Sequence, residues 1–286
     1  MLGGVMKLVR YGQPGSERPG LIDAAGLIRD LSGHVPDIAG AVLSRPVLNE
    51  LARIDLDSLA VVEAEPRIGP CVGGVGKFIA IGLNYSDHAA ESGAKAPPEP
   101  IVFMKATSCI NGPNDHVVLP RGSRKTDWEV ELGVVIGRTA KYVDEASALN
   151  HVAGYCIVND VSEREFQIER HGQWVKGKSA DTFGPIGPWL VTTDEIADPQ
   201  DLGMWLRVNG QPMQQGTTAD MIFDVAYLVS YLSRFMSLHP GDIIATGTPA
   251  GVGMGRKPPR FLQSGDLVEL GIDGLGSQRQ RVVADR

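Results

Sequence analysis

The sequence predicts an α+β fold dominated by strands, with a small N-terminal unit ahead of a larger one. Three observations carry that prediction. Runs of β-type residues, among them FIAIGL, IVFMKA, HVVLP, EVELGVVIG, AGYCIVND, WLRVNG, DIIATG and DLVELGI, recur along the chain with Gly, Pro and Asn between them. In TDWEVELGVVIG, residues 126–137, Trp128, Val130, Leu132, Val134 and Ile136 alternate with other residues at the period of two that marks a strand with one face in a core. One long helical pattern stands out, with Met221, Val225, Leu228, Leu232 and Phe235 recurring before the stop signal His239-Pro240-Gly241.

In chain order, MKLVRYG and GLIDAAGLIRDLS are short strands and turns of a modest first unit, followed by a helix near Val47–Ile54. The Pro/Gly-rich stretch PRIGPCVGGVGK ends that unit, so the expected boundary lies near residue 70, giving segments 1–70 and 71–286. Shorter helices are expected at Asp144–Asn150 and Ser162–Arg170, each opening on a residue suited to capping. No internal repeat or low-complexity tract is present.

The 286 residues, 43% hydrophobic and 21% charged, suffice for one large core and a small satellite. A net charge of −7 without Lys/Arg runs argues against a nucleic-acid partner and against an anionic membrane surface. No apolar run approaches the roughly 18 residues of a membrane span, and MLGGVMK lacks the apolar core of about 7–15 residues found in a secretory signal, so a cytoplasmic location is expected. Met1–Val5 precede a second methionine, Met6, and are either an upstream start or an added segment. Cys71, Cys109 and Cys156 are odd in number and form no CxxC pair, so they are read as plain thiols.

The alternation that makes 126–137 a strand also puts Asp127, Glu129 and Glu131 on its other side. Glu129 and Glu131 should stand roughly 6–7 Å apart, where they repel unless water, a cation or protonation relieves the charge. An isolated pair of glutamates in a strand is more often a solvated face. Here the acidic side continues into Gly133 and Val135, as a side running into a buried cleft would, and YCIVND delivers Asp160 at the end of another apolar strand. Three carboxylates with no Cys or His beside them form an all-oxygen set suited to Mg²⁺ or Mn²⁺ rather than Zn²⁺.

In NYSDHAAE, His88 and Glu91 share one helical face at a spacing of three, where a carboxylate can orient an imidazole that activates water. Gly82 and Gly93 bracket this apolar-poor segment, so it is expected to move as a lid; the competing reading is an exposed turn with an incidental pair. GQWVKGKS, Gly172–Ser179, matches the phosphate-loop pattern, but a polar helical segment precedes it and two Gly-Pro pairs follow, so no helix N-terminus is available to hold phosphates. Nucleotide binding is therefore rejected and Lys178 is kept as a candidate cation. Lys105 in VFMKA is a second, against the reading of a lysine stretched to the surface. IIATGTPAGVG ends a strand in a loop with free backbone donors, suited to an oxyanion or simply to a turn.

Taken in order, GLNYSDHAAE, FMKATS, DWEVELGVVIG, YCIVNDVSEREFQ, KGKSADTFGPIGP, VNGQPMQQGTTADMIFD and GDIIATGTPAGVG resemble the fumarylacetoacetate hydrolase superfamily over roughly residues 70–280. The resemblance implies a mixed β-sandwich roll with a small N-terminal domain, a homodimer or homotetramer, a 2-oxo acid substrate and a divalent metal. It implies metal ligands at Glu129, Glu131 and Asp160, a water-activating dyad at His88 and Glu91, an active-site lysine at Lys178, and pocket residues at Arg164, Gln167 and Thr248. The opening and the compact length are most similar to bacterial hydrolases of 2,4-diketo-3-deoxy sugar acids derived from L-rhamnonate or L-fuconate. The expected reaction is attack of water on the C4 carbonyl and C3–C4 cleavage to pyruvate and a hydroxy acid such as lactate. Oxaloacetate decarboxylase, ureidoglycolate lyase, a hydroxydienedioate isomerase, and an inactive binding or scaffold homologue are the alternatives.

Overall fold

The computed structural model of the protein describes residues 6–63, 65–91, 93 and 95–285; Met1–Val5, Ser92 and Ala94 lie outside them. Two large sheets form the body, as the strand-rich α+β reading expects. The ten-stranded sheet runs from Ile28–Asp30 through Arg18–Ile22, Lys7–Tyr11, Gly184–Thr192, Val152–Asn159, Val130–Ile136, Ile243–Ala245 and Phe78–Gly82 to Ile101–Lys105, with Ile110–Asn111 beside Gly184–Thr192. The five-stranded sheet orders Gln211–Thr217, Gly203–Val208, Leu267–Ile272, Gly276–Ala284 and Val117–Leu119.

The even-numbered residues of the central strand set the stacking. Val130, Leu132, Val134 and Ile136 point into one apolar cluster with Leu206, Val208, Val268, Leu270 and Ile272 of the second sheet. Burying each such side chain contributes roughly 1.5–3 kcal/mol, which offsets the cost of desolvating the acids on the opposite side. Val135, on the odd side, joins a second cluster with Leu8, Leu21 and Leu43 of the first unit. The first unit is thus hydrogen-bonded into the large sheet, Lys7–Tyr11 pairing antiparallel with Gly184–Thr192.

Three elements differ from expectation. The strand over 126–137 is broken: Thr126–Asp127 pairs with Ser162–Glu163, and the ladder strand begins only at Val130. The Asp127 carboxylate accepts the Trp128 amide at 2.8 Å and competes with a continuous ladder at that point. The helix expected over Ser162–Arg170 is instead that two-residue strand followed by a π-helical turn, Glu165–Glu169. The helical pattern from Met221 yields a helix only over Val225–Leu232, capped by Asp224, whose side chain accepts the Tyr227 amide at 2.8 Å. Upstream, Asn84 grips the backbone of Phe223, accepting from its N–H at 2.8 Å and donating to its C=O at 3.0 Å, which holds that stretch out of the helix.

The expected helix near Val47–Ile54 is found at Arg45–Leu51, and that of Asp144–Asn150 at Glu145–Ala148 with a 3₁₀ turn over Leu149–His151. All three cysteines are free and buried. Among the described residues, no helix is long and apolar enough to cross a membrane.

Candidate active site

Glu129, Glu131 and Asp160 come together at the broken end of the central strand, with one carboxylate oxygen of each within 4.8 Å of the others. All three are buried. Glu129 and Glu131 lie on the same side of the chain, and Asp160 follows the neighbouring strand Val152–Asn159, which pairs with it antiparallel. The Asp160 amide donates to the Glu129 carbonyl at 2.9 Å and fixes the two ligand-bearing segments against each other.

Three cations answer this charge. Lys178 Nζ lies 2.6 Å from both Glu129 Oε2 and Asp160 Oδ2. Lys105 Nζ reaches Asp160 Oδ1 at 2.5 Å and is fully buried, so the surface-lysine reading fails. Arg164 donates to Glu129 Oε1 at 2.6 Å and Asp127 Oδ2 at 2.8 Å. Burial alone would raise the proton affinity of Glu129, but Lys178 and Arg164 outweigh it and hold the carboxyl well below the usual range. Among the described residues, Glu131 receives one hydrogen bond, from the Gly247 amide at 2.8 Å. Burial, with Asp160 and Glu129 adding repulsion, pushes its carboxyl well above the usual range.

With all four carboxylates ionised, counting Asp127, the three side-chain cations would leave one negative charge, and burial together with this excess favours a proton on Glu131 unless a further cation enters. A divalent ion together with one carboxylate of a bound acid would bring that balance to zero. The donors are all oxygens and converge, so the residues present fit a hard divalent cation.

A cavity of about 220 Å³ opens onto this cluster and is walled by His88, Glu129, Glu131, Arg164, Gln167, Lys178 and Thr248, with Phe103, Trp174 and Met254 on its apolar side. The π-helical turn accounts for Gln167: Arg164 Nη1 donates to Gln167 Oε1 at 3.1 Å, and both side chains are buried. The helix Ser86–Glu91 forms as expected and carries His88, which is buried, with Nδ1 3.5 Å from Glu91 Oε2. Burial raises the Glu91 carboxyl, but His88 and the Gly251 amide outweigh it and set it below its ordinary range.

The loop after Ile243–Ala245 donates to the protein's own acids. Gly247 N–H binds Glu131, Ala250 N–H Asp87, Gly251 N–H Glu91, and Gly253 and Met254 N–H bind Asp127. Gly247 has φ +98°, open to glycine at little cost, and a Cβ there would lie 2.8 Å from Asn84 Cβ.

Between the two glutamate ligands, Val130 is held from the opposite sheet. Its N–H donates to Gln214 Oε1 at 3.0 Å, its C=O accepts from Thr248 Oγ1 at 2.9 Å, and Gln214 Nε2 donates to Thr248 Oγ1 at 2.7 Å. Thr248 thus lines the cavity while its hydroxyl bonds within the protein.

Of the residues predicted for the site from the sequence, His88, Glu129, Glu131, Arg164, Gln167, Lys178 and Thr248 line this cavity, Glu91 and Asp160 stand behind it against His88 and Lys178, and Lys105 lies one step further out against Asp160. Sequence reasoning missed Phe103, Trp174 and Gln214, and Leu83, a cavity-wall residue held at φ +52°. Of these only Trp174 carried a signal, as the one aromatic inside the rejected GQWVKGKS motif.

The family model for the fumarylacetoacetate (FAA) hydrolase C-terminal region matches residues 77–283. A fumarylacetoacetate hydrolase from psychrophilic Exiguobacterium antarcticum has a TM-score of 0.87 at 38% identity, covering 98% of this chain and 100% of that one. A 5-carboxymethyl-2-hydroxymuconate delta-isomerase from Mycobacterium smegmatis follows at 0.78 and 34%, covering 98% and 100%. A maleylpyruvate hydrolase from Sphingobium sp. SYK-6, in complex with manganese(II) and pyruvate, has a TM-score of 0.79 at 30% identity over 98% and 100%.

Proposed function

Because the chain belongs to the fumarylacetoacetate hydrolase family, we propose that it hydrolyses a carbon–carbon bond of a 2,4-diketo acid, releasing pyruvate and a second acid. The observation that carries this reading is one cavity with Glu129 and Glu131 of the buried three-carboxylate set on one wall and His88, with Glu91 beside it, on another. A Mg²⁺ or Mn²⁺ ion held by Glu129, Glu131 and Asp160 would supply Lewis-acid polarisation of the 2-oxo acid. Sugar-acid substrates, 2,4-diketo-3-deoxy-L-rhamnonate or L-fuconate, are the narrowest form of the proposal.

His88, with Glu91 beside it to receive its Nδ1–H, takes a proton from water as the water oxygen bonds to the C4 carbonyl carbon. Collapse of that adduct breaks C3–C4, and the electron pair leaves on C3 as the enolate of pyruvate, which is then protonated. Lys178 places its positive charge beside the developing enolate oxygen. Arg164 and Gln167 hold the carboxylate end.

The test is turnover of a panel of 2,4-diketo acids and oxaloacetate with Mg²⁺ or Mn²⁺ and after EDTA. Full activity after chelation, or no pyruvate from any diketo acid, would overturn the proposal.

A further inference from the structure

The last strand, Gly276–Ala284, buries alternate residues, and its buried positions read Gln278, Gln280 and Val282. Val282 belongs to the apolar cluster between the sheets, whereas the two glutamines are at most 1% exposed in places where that cluster would take apolar side chains. A buried amide left without partners costs about 1–3 kcal/mol, so both need a full set.

They find it in one chain of hydrogen bonds. Gln278 Nε2 donates to the carbonyls of Ile157 at 2.9 Å and Gly187 at 3.0 Å. Gln280 Nε2 donates to the Pro113 carbonyl at 2.6 Å and to Gln278 Oε1 at 2.8 Å. Gln280 Oε1 accepts from Asn159 Nδ2 at 3.0 Å, and Asn159 Oδ1 accepts from the Glu129 amide at 3.3 Å. Backbone carbonyls at one end require NH₂ groups and a backbone N–H at the other requires an oxygen, so only one orientation of the three side-chain amides satisfies every member. Turning Asn159 over would set Nδ2 against the Glu129 N–H and Oδ1 against Gln280 Oε1.

This chain ends on Glu129, just before the ladder strand begins at Val130. The next residue after Asn159 completes the hold, since the Asp160 amide donates to the Glu129 carbonyl at 2.9 Å. Asn159 and Asp160 thus grip both backbone polar groups of Glu129, and Gln280 holds Asn159. Gln280 itself does not line the cavity.

We infer that Gln280 is a positioning residue for the cation site: through Asn159 it fixes the backbone of Glu129 against that of Asp160, and with it the convergence of two of the three carboxylates. This rests on the reading of Glu129, Glu131 and Asp160 as that site.

The experiment measures Mn²⁺ binding by calorimetry, and unfolding by denaturant, for wild type, Gln280→Met and Gln278→Met. Both substitutions remove one buried amide from the same strand and should lower stability, but only the first releases Asn159. Gln280→Met should weaken Mn²⁺ binding at least ~10-fold, the low end of the effect of a group that orients a metal ligand, and Gln278→Met less than about 3-fold. Wild-type affinity in folded Gln280→Met, or equal weakening by both substitutions, overturns the inference while the cation site stands. Should Gln280→Met fail to fold, Asn159→Ala removes the same bond to the Glu129 amide and should show the same loss; wild-type affinity there overturns the inference equally. A wild type that binds no Mn²⁺ overturns the cation site and the inference together.

Discussion

His88 Nδ1 and Glu91 Oε2 stand 3.5 Å apart on one turn of helix, beyond a formed hydrogen bond, and among the described residues Nδ1 has no hydrogen-bond partner. A buried imidazole in that position is free to tighten onto Glu91 when it takes a proton, as a base paired with an orienting carboxylate must.

Substituting His88 by Ala should therefore lower diketo-acid hydrolysis by about 10²–10⁴. Oxaloacetate decarboxylation requires no attacking water and should fall much less. Glu129→Gln should abolish both. Wild-type hydrolysis rates in His88→Ala would return the segment to an incidental pair.

Glu91 also predicts a pH dependence of stability. Its carboxyl titrates below its ordinary range in the folded protein, so the stability it contributes is present above the unfolded-state value and lost as pH falls through the lowered one. Chemical denaturation should show wild type more stable than Glu91→Gln at pH 7, with the gap closing as the pH falls toward 3. A gap that stays constant or widens in acid contradicts this assignment.

Glu131→Gln keeps the side-chain shape and removes one charged ligand. Loss of an outer-shell partner alone typically costs ~10–100-fold in metal affinity, so this change should weaken Mn²⁺ binding by at least about 100-fold and nearly abolish turnover. With Mn²⁺ at 100 times its dissociation constant, wild type should gain about 2.7 kcal/mol of unfolding free energy. The variant should gain almost none, and equal thermal shifts in the two proteins would remove Glu131 from the ligand set.

The helix Ser86–Glu91 is tied to its surroundings at both ends, by Asn84 to Phe223 and Thr246 and by Asp87 and Glu91 to the amides of Ala250 and Gly251. Hydrogen exchange at 86–91 should nonetheless slow on addition of oxalate or pyruvate with Mn²⁺, because closure orders the apolar-poor segment. Identical, strong protection with and without ligand would mean that no lid moves.

Local pattern made part of this molecule legible. Period-two alternation located the strand and both glutamate ligands, and an apolar run ending in Asp placed the third. What local pattern leaves open, or misses, depends on distant partners. Lys105 is buried because Asp160, 55 residues on, receives its charge, and the helix from Val225 starts late because Asn84, 139 residues back, occupies the chain before it. The π-helical turn at Glu165–Glu169 follows a strand pairing between segments 35 or more residues apart, which no window of sequence around Ser162 contains. Arg256, Lys257 and Arg260 form no run that the sequence reading singled out, and their place beside Glu91 comes from the fold.

The ring joining Val130, Gln214 and Thr248 makes the spacing of two glutamates a property of how the sheets are stacked. Gln214 belongs to the second sheet, so any sliding or swelling of the sandwich pulls on the one residue between Glu129 and Glu131. Repacking mutations in the inter-sheet core, far from any reacting atom, should then act as tuning screws on cation affinity. Conversely, filling the cation site should stiffen the sandwich and lower its compressibility as a whole.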